Sequence, residues 1–240
     1  MQCLDWAMDT KRKVIWHERL LFQSVNIYGI IVGVLEQQGF FVMTKQEQLL
    51  SAFKKKGILS VNDPECAGIP RIYFSRLCEA GLIDRIGRGV YSCPAYSSTE
   101  YITNAEAAAV VPQGVACLFS ALRYHGLTLE NPHRLHIAIP RGMRMPKHEL
   151  PLEIYRFSPE SYAFGIESVK TKDGQIKVYS VEKTIADCFK FRNVVGLDVA
   201  IAALKDAKAK RLVDHDRLWA AMKVCRMEKV MQPYLEGVYA

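Results

Sequence analysis

GIPRIYFSRLCEAGLIDRIGRGVYSCP, residues 68–94, decides the architecture of the N-terminal part of this chain. Pro70 stands at a favoured first helical position, because its fixed φ suits a helix start and its missing N–H is not needed there. The spacing predicts a helix from Pro70 to Ala80-Gly81, with Ile72, Phe74 and Leu77 as candidates for its packed side. LIDRI and VYSC then read as two short strands joined by the glycine-rich tip Gly87-Arg88-Gly89 and stopped by Pro94, a hairpin or wing.

Upstream, Thr44 offers an N-cap with Glu47 three residues on, and Leu49, Leu50 and Phe53 recur at helical spacing. Lys54-Lys55-Lys56-Gly57 closes that helix with cations and a glycine stop. Asn62 or Asp63 caps a short second helix through Cys66-Ala67, and Gly68 makes the turn into the third. Helix, turn, helix and hairpin together predict a winged helix-turn-helix over residues 43–96. Residues 1–42 read differently. The apolar run Ile27 to Leu35 is too short to cross a membrane, and Glu36-Gln37-Gln38 follows it instead of a small-residue cleavage site. Met43 opens the amphipathic MTKQEQLLSAFKKKG and reads as the natural start, leaving 1–42 as an atypical extension that is either not translated or is real and packs or binds a partner.

Downstream of Tyr96 the composition shifts. SSTEYIT is a polar linker before the alanine-rich helix Ala105 to Val110, so a domain boundary is placed there and residues 97–240 form the second domain. Its predicted elements are a helix over 114–126, strands over 134–139 and 151–157, and a hairpin over 165–179 turning at Asp173-Gly174. Three helices follow: Ser180 caps VEKTIADCFKFR, Asp198 starts VAIAALKDAKAK, and Asp214 starts HDRLWAAMKVCR. The fold class predicted is α+β throughout.

Half of the 240 residues are hydrophobic and 24% are charged, the balance of a globular chain and not of a disordered or collagen-like one. Lys and Arg number 32 against 25 Asp and Glu, a net +7 that favours an anionic partner without naming it. Seven cysteines without a CxxC pair fit the reduced thiols of a cytoplasmic protein better than a disulfide framework or a zinc site. His133 and His136, three apart in an alternating stretch, read as polar strand positions in preference to metal ligands. No cofactor, metal or membrane contact is expected.

On the third helix, Arg71, Tyr73, Ser75 and Arg76 are the candidate base or phosphate contacts, while Arg85 and Arg88 on the wing can reach a minor groove or a phosphate. The same module also serves protein recognition with its arginines as solvated surface, and the pattern alone leaves both readings open. The loop 141–148 carries a second basic set, Arg141, Arg144 and Lys147, which Lys170 and Lys172 beside the Asp173-Gly174 turn can extend. It fits phosphate of DNA or RNA, or is simply solvated. Through this loop the chain has an alternative reading as a non-catalytic protein- or RNA-binding module.

An enzymatic reading would rest on Glu182, Lys183, Asp187 and Cys188. Lys183 and Asp187 lie one helical turn apart and are predicted to form an i,i+4 pair at the surface, not an acid–base site, and Cys188 has no nearby histidine. The Asp-x-Lys triplet Asp206-Ala207-Lys208 falls in a predicted helix facing water. Nucleophile elbow, P-loop and dinucleotide fingerprint are all missing from the sequence, so no catalysis is expected.

The stretch 68–94 resembles the N-terminal winged helix of the AbiEi antitoxins of type IV toxin–antitoxin systems. HRLHIAIPRGMRMP and YSVEKTIADCFKFRNVVGLDVAIAAL resemble segments of that family's C-terminal antitoxin domain, so the likeness runs from about residue 44 to the C-terminus. What the resemblance implies is an abortive-infection antitoxin with two tasks. The winged helix would repress its own operon at promoter DNA with repeats. The C-terminal domain would counteract a nucleotidyltransferase-like toxin, with no stable complex expected between the two.

Overall fold

Residues 45–55 place Leu49, Ala52 and Phe53 on one side, and this amphipathic α1 (Lys45–Lys55) buries all three. The computed structural model describes residues 43–96, 102–130, 133–171 and 174–239; the predicted extension 1–42, the linker as far as Tyr101, and Lys172 and Asp173 lie outside these. After α1 come β1 (Ile58–Ser60), a 3₁₀ turn (Pro64–Cys66), α2 (Arg71–Glu79), β2 (Asp84–Gly87) and β3 (Val90–Ser92). The strands form an antiparallel sheet in the order β1-β3-β2. Leu49, Phe53, Leu59, Phe74, Leu77 and Ile83 pack together as its core, each burial contributing about 1.5–3 kcal/mol.

Three features differ from the sequence reading. The second helix is only a 3₁₀ turn, and Asp63 does not cap it: its carboxylate accepts from the Ser60 N–H at 2.5 Å and tightens the bend out of β1. β1 was not foreseen, because three residues are too few to show alternation. It is a strand because β3 pairs with it, Ile58 opposite Ser92 and Ser60 opposite Val90. Pro70 precedes α2 and does not form its first residue.

The remaining chain is a mixed α+β arrangement. It runs α3 (Ile102–Val110), β4 (Val115–Ala116), α4 (Leu118–Tyr124), β5 (Leu135–Pro140), β6 (Leu152–Phe157), α5 (Pro159–Ala163), β7 (Ile166–Thr171) and β8 (Gly174–Tyr179). Helices α6 (Val181–Lys190), α7 (Arg192–Val195), α8 (Leu197–Ala209), α9 (His215–Cys225) and α10 (Glu228–Tyr239) follow. The five strands lie in the order β6-β5-β4-β8-β7. Alternation along a strand decides the faces: Ile137, Ile139, Ile176 and Val178 pack with α3, while Ala138 and Tyr179 pack with α4, α6 and the later helices. With both faces covered, β5 reads as a nearly continuous apolar run.

Here too the structure corrects the reading. The predicted helix over 114–126 yields Val115 and Ala116 to β4, which joins β5 to β8. Helix α8 begins at Leu197 behind Gly196, whose φ of 96° suits glycine, and not at Asp198. Helix α10, with Pro233 inside it, was not predicted. His136 does stand on a strand, β5, and is buried there between Phe119 and Tyr155, ring centroids 5.4 and 5.3 Å away. Burial holds its imidazole below the usual histidine value, against a smaller upward pull from Glu153. Since the depressed value belongs to the folded state, the stability from neutral His136 is complete above the unfolded value and is lost as pH falls through the folded one. His136→Phe is therefore expected to flatten the acid limb of a pH–stability curve measured by urea denaturation between pH 7 and 5; an unchanged limb would show that this ring does not titrate on unfolding.

The surface pair predicted at Lys183 and Asp187 is an interior one, both side chains being 0% exposed. Lys183 Nζ reaches the two Asp187 oxygens at 2.6 and 2.5 Å and Ser161 Oγ at 3.3 Å, and lies 4.7 and 4.6 Å from the ring centroids of Phe157 and Tyr179. Cys225 Sγ donates to Asp187 Oδ1 at 3.3 Å. Burial pushes the Asp187 carboxyl up, and Lys183 pulls it back down. Glu182 is also buried, one oxygen accepting from the Asp214 N–H, and burial raises the Cys188 thiol strongly. The segment that an enzymatic reading would need thus joins α6 to the surrounding layers.

The two sequence halves share packing. Ile58, Ile86 and Val90 cluster with Ala105, Ala107 and Val110 of α3 and with Ile137 and Ile139 of β5, and Ser92 Oγ donates to Glu106 at 2.7 Å. From Lys45 onward the described chain is one compact unit. The hairpin over 84–92 is seated through α3 on the central sheet.

Candidate nucleic-acid interface

At about 100° per residue, Phe74 and Leu77 of α2 fall about 60° apart, whereas Ile72 falls about 160° from Phe74. The structure follows that arithmetic: Phe74 and Leu77 are fully buried, and Ile72, expected on the packed side, is 53% exposed. Arg71, Ser75 and Arg76 are exposed as well, and Tyr73 is half-buried with the Arg76 guanidinium 5.6 Å from its ring centroid. No acidic side chain occupies the first turn of α2 and no side chain caps it, so the positive end of the helix dipole is left open.

Arg85 and Arg88 are exposed on the hairpin. The register shifts between Arg85 and Gly87, a bulge that increases local twist. Gly89 follows Arg88 with φ 72°, and a Cβ there would stand 3.1 Å from Val61. Arg85 lies opposite Tyr91 across the pair, so the two project from the same face.

These residues line two clefts. The first, about 410 Å³, lies between α2 and the hairpin; it is lined by Asn62, Arg71 and Ser75 on one side and Arg85, Arg88 and Tyr91 on the other, with no carboxylate among its lining residues. The second, about 900 Å³, lies between the hairpin and the 141–151 loop, where Arg85 and Arg88 meet Arg144, Lys147, His148 and Glu149. Arg85 and Arg88 line both, so the two clefts adjoin as one cationic surface.

Two backbone contacts tie the 141–151 loop to the hairpin, a side-chain bond ties it to β6, and one contact braces it internally. Gly87 bridges His148, Glu149 N–H donates to Ile86 O at 3.2 Å, Arg156 donates to Met143 O at 2.9 Å, and a His148 ring nitrogen lies 3.0 Å from Leu150 O. The expected residues therefore divide. Arg71, Ser75, Arg85, Arg88, Arg144 and Lys147 come together, whereas Tyr73, Arg76 and Arg141 line neither cleft. Lys170 does not extend the loop's patch: it sits on β7, one edge of the sheet, while the loop leads into β6 at the other edge, four strand spacings or roughly 19 Å away. Lys172 lies outside the described residues. Sequence reasoning missed Asn62 and Tyr91; period-two alternation across the hairpin was the signal for Tyr91, and Asn62 had none.

No helix among the described residues is long and apolar enough to cross a membrane. No curated protein matches the chain. The family comparison does find a match, and it covers the first cleft's own elements while leaving the residues beyond β3 and Pro94 outside it. Residues 47–94, from within α1 to the end of the hairpin, match the family described as transcriptional regulator, AbiEi antitoxin, and it is this segment that gives the chain its family likeness.

Proposed function

We propose that the chain is the antitoxin and autoregulatory repressor of a type IV toxin–antitoxin operon. Residues 43–96 act as a winged helix-turn-helix on promoter DNA with repeats, α2 being the recognition helix and the hairpin the wing. Residues 97–240 act as the antitoxin domain against a nucleotidyltransferase-like toxin, without a stable complex, in the cytoplasm and without catalysis. The observation that carries the DNA reading is the carboxylate-free cleft shared by Arg71 and Ser75 of α2 and Arg85 and Arg88 of the hairpin. A recognition helix and a wing need to present cations to one phosphate backbone at once, and this cleft supports that.

The basic loop favours the same reading over a separate protein- or RNA-binding site, because Arg144 and Lys147 share their cleft with the wing arginines. The test is a band-shift titration of the full chain on the DNA upstream of its own gene, with scrambled competitor, at two salt concentrations. Specific binding is expected, its logarithm falling by about 0.9 per phosphate contact for each decade of salt. A folded protein that never prefers its own upstream DNA would make the winged helix an interaction module. Expression beside the neighbouring nucleotidyltransferase-like gene tests the antitoxin half, growth being restored only when the chain is present.

A further inference from the structure

We propose that Ile72 is a specificity-determining residue that reads the C5-methyl group of a thymine in the major groove. The inference rests on the DNA-binding reading above. Of the large apolar side chains that are exposed among the described residues, Ile72 is the one carried by α2. It is the second residue of that helix, in the N-terminal turn that a recognition helix points at base edges. Its face is otherwise polar: Arg71 adjoins it, Ser75 and Arg76 follow one turn on, and all three are exposed. An apolar docking patch for a protein would need contiguous apolar neighbours.

The chemistry selects the ligand. Arg71, Ser75 and Arg76 are donors suited to phosphate oxygens and base acceptors, but the aliphatic Ile72 can hydrogen-bond to nothing. In the major groove the thymine methyl is the apolar group a base pair presents, and cytosine carries only a hydrogen at that position. A β-branched side chain on a helix is confined mostly to one χ1 rotamer, so the Ile72 methyl groups project in a fixed direction and can discriminate by contact.

The experiment uses the full chain and the DNA upstream of its own gene, prepared once with thymidine and once with deoxyuridine, which lacks only the methyl groups. Wild type is expected to bind the thymidine probe about fourfold more tightly, the effect of burying roughly one methyl. Ile72→Ala should bind both probes alike, at the affinity of wild type for the deoxyuridine probe, and Ile72→Val should retain most of the difference. Both variants change an exposed side chain and should melt as wild type does. Equal binding of the two probes by wild type, or a preference that survives in Ile72→Ala, overturns the assignment while specific DNA binding stands. If the folded protein shows no specific binding to either probe, the DNA reading fails and this assignment fails with it.

Discussion

Alanine at Lys183 alone, or at Asp187 alone, is expected to destabilise the protein by about 3–5 kcal/mol, because it removes the directly bonded partner of a charge that stays buried. That is a large share of the roughly 5–15 kcal/mol that holds a typical domain together, so either variant should be partly unfolded at 37 °C. The site explains the severity. Both side chains are 0% exposed, and the lysine's remaining neighbours are Ser161 and the faces of Phe157 and Tyr179. Replacing both charges together, Lys183→Met with Asp187→Leu, should recover most of the loss, since two apolar groups of similar length leave no buried charge and cost only the weaker contacts to Ser161 and Cys225. Urea denaturation followed by circular dichroism measures both effects. Single variants within about 1 kcal/mol of wild type would mean that water reaches the pair.

Arg85→Ala combined with Arg88→Ala should weaken specific DNA binding at least about a hundredfold, since each lost charge-assisted contact is worth about 1.5–3 kcal/mol. The salt dependence should become shallower by about two units of slope as two phosphate contacts disappear. Both arginines are exposed, and the melting temperature should hold, so the loss would lie in binding and not in folding. Their position lining both clefts makes this the most damaging pair on the surface. Arg144→Ala with Lys147→Ala should also lower the slope, by a similar amount but with a smaller loss of affinity, because the loop lies beside the wing and away from α2. If those two substitutions leave the DNA salt dependence untouched while abolishing capture of an RNA or a protein, the loop is an independent site and the repressor reading loses its second half.

Local rules explain much of the fold. Phe74 and Leu77 define the inner face of α2, Ser180 and Asp214 each accept from the backbone N–H three residues on, and the glycines around Arg88 turn the hairpin. Such features depend on neighbours within a few residues, so composition and spacing reveal them. Exposure of Ile72 was equally implicit in the helical period. What escaped the sequence reading depends on partners far along the chain. β1 and β4 are strands because β3, β5 and β8 pair with them. Spacing announced that Lys183 and Asp187 would meet but not how deep they would lie, since Ser161, Phe157, Tyr179 and Cys225 close over them from four other elements.

The candidate interface divides in the same way. That the chain holds one cationic helix and hairpin at 68–94 and a second cationic loop at 141–148 is written in the sequence by itself, because charge and turn chemistry are local properties. That Arg144 and Lys147 stand beside Arg85 and Arg88, with Lys170 at the opposite edge, was decided only by the tertiary structure. The Gly87–His148 bridge and the order of five strands set those distances, and both arise from pairings between segments that no spacing rule connects.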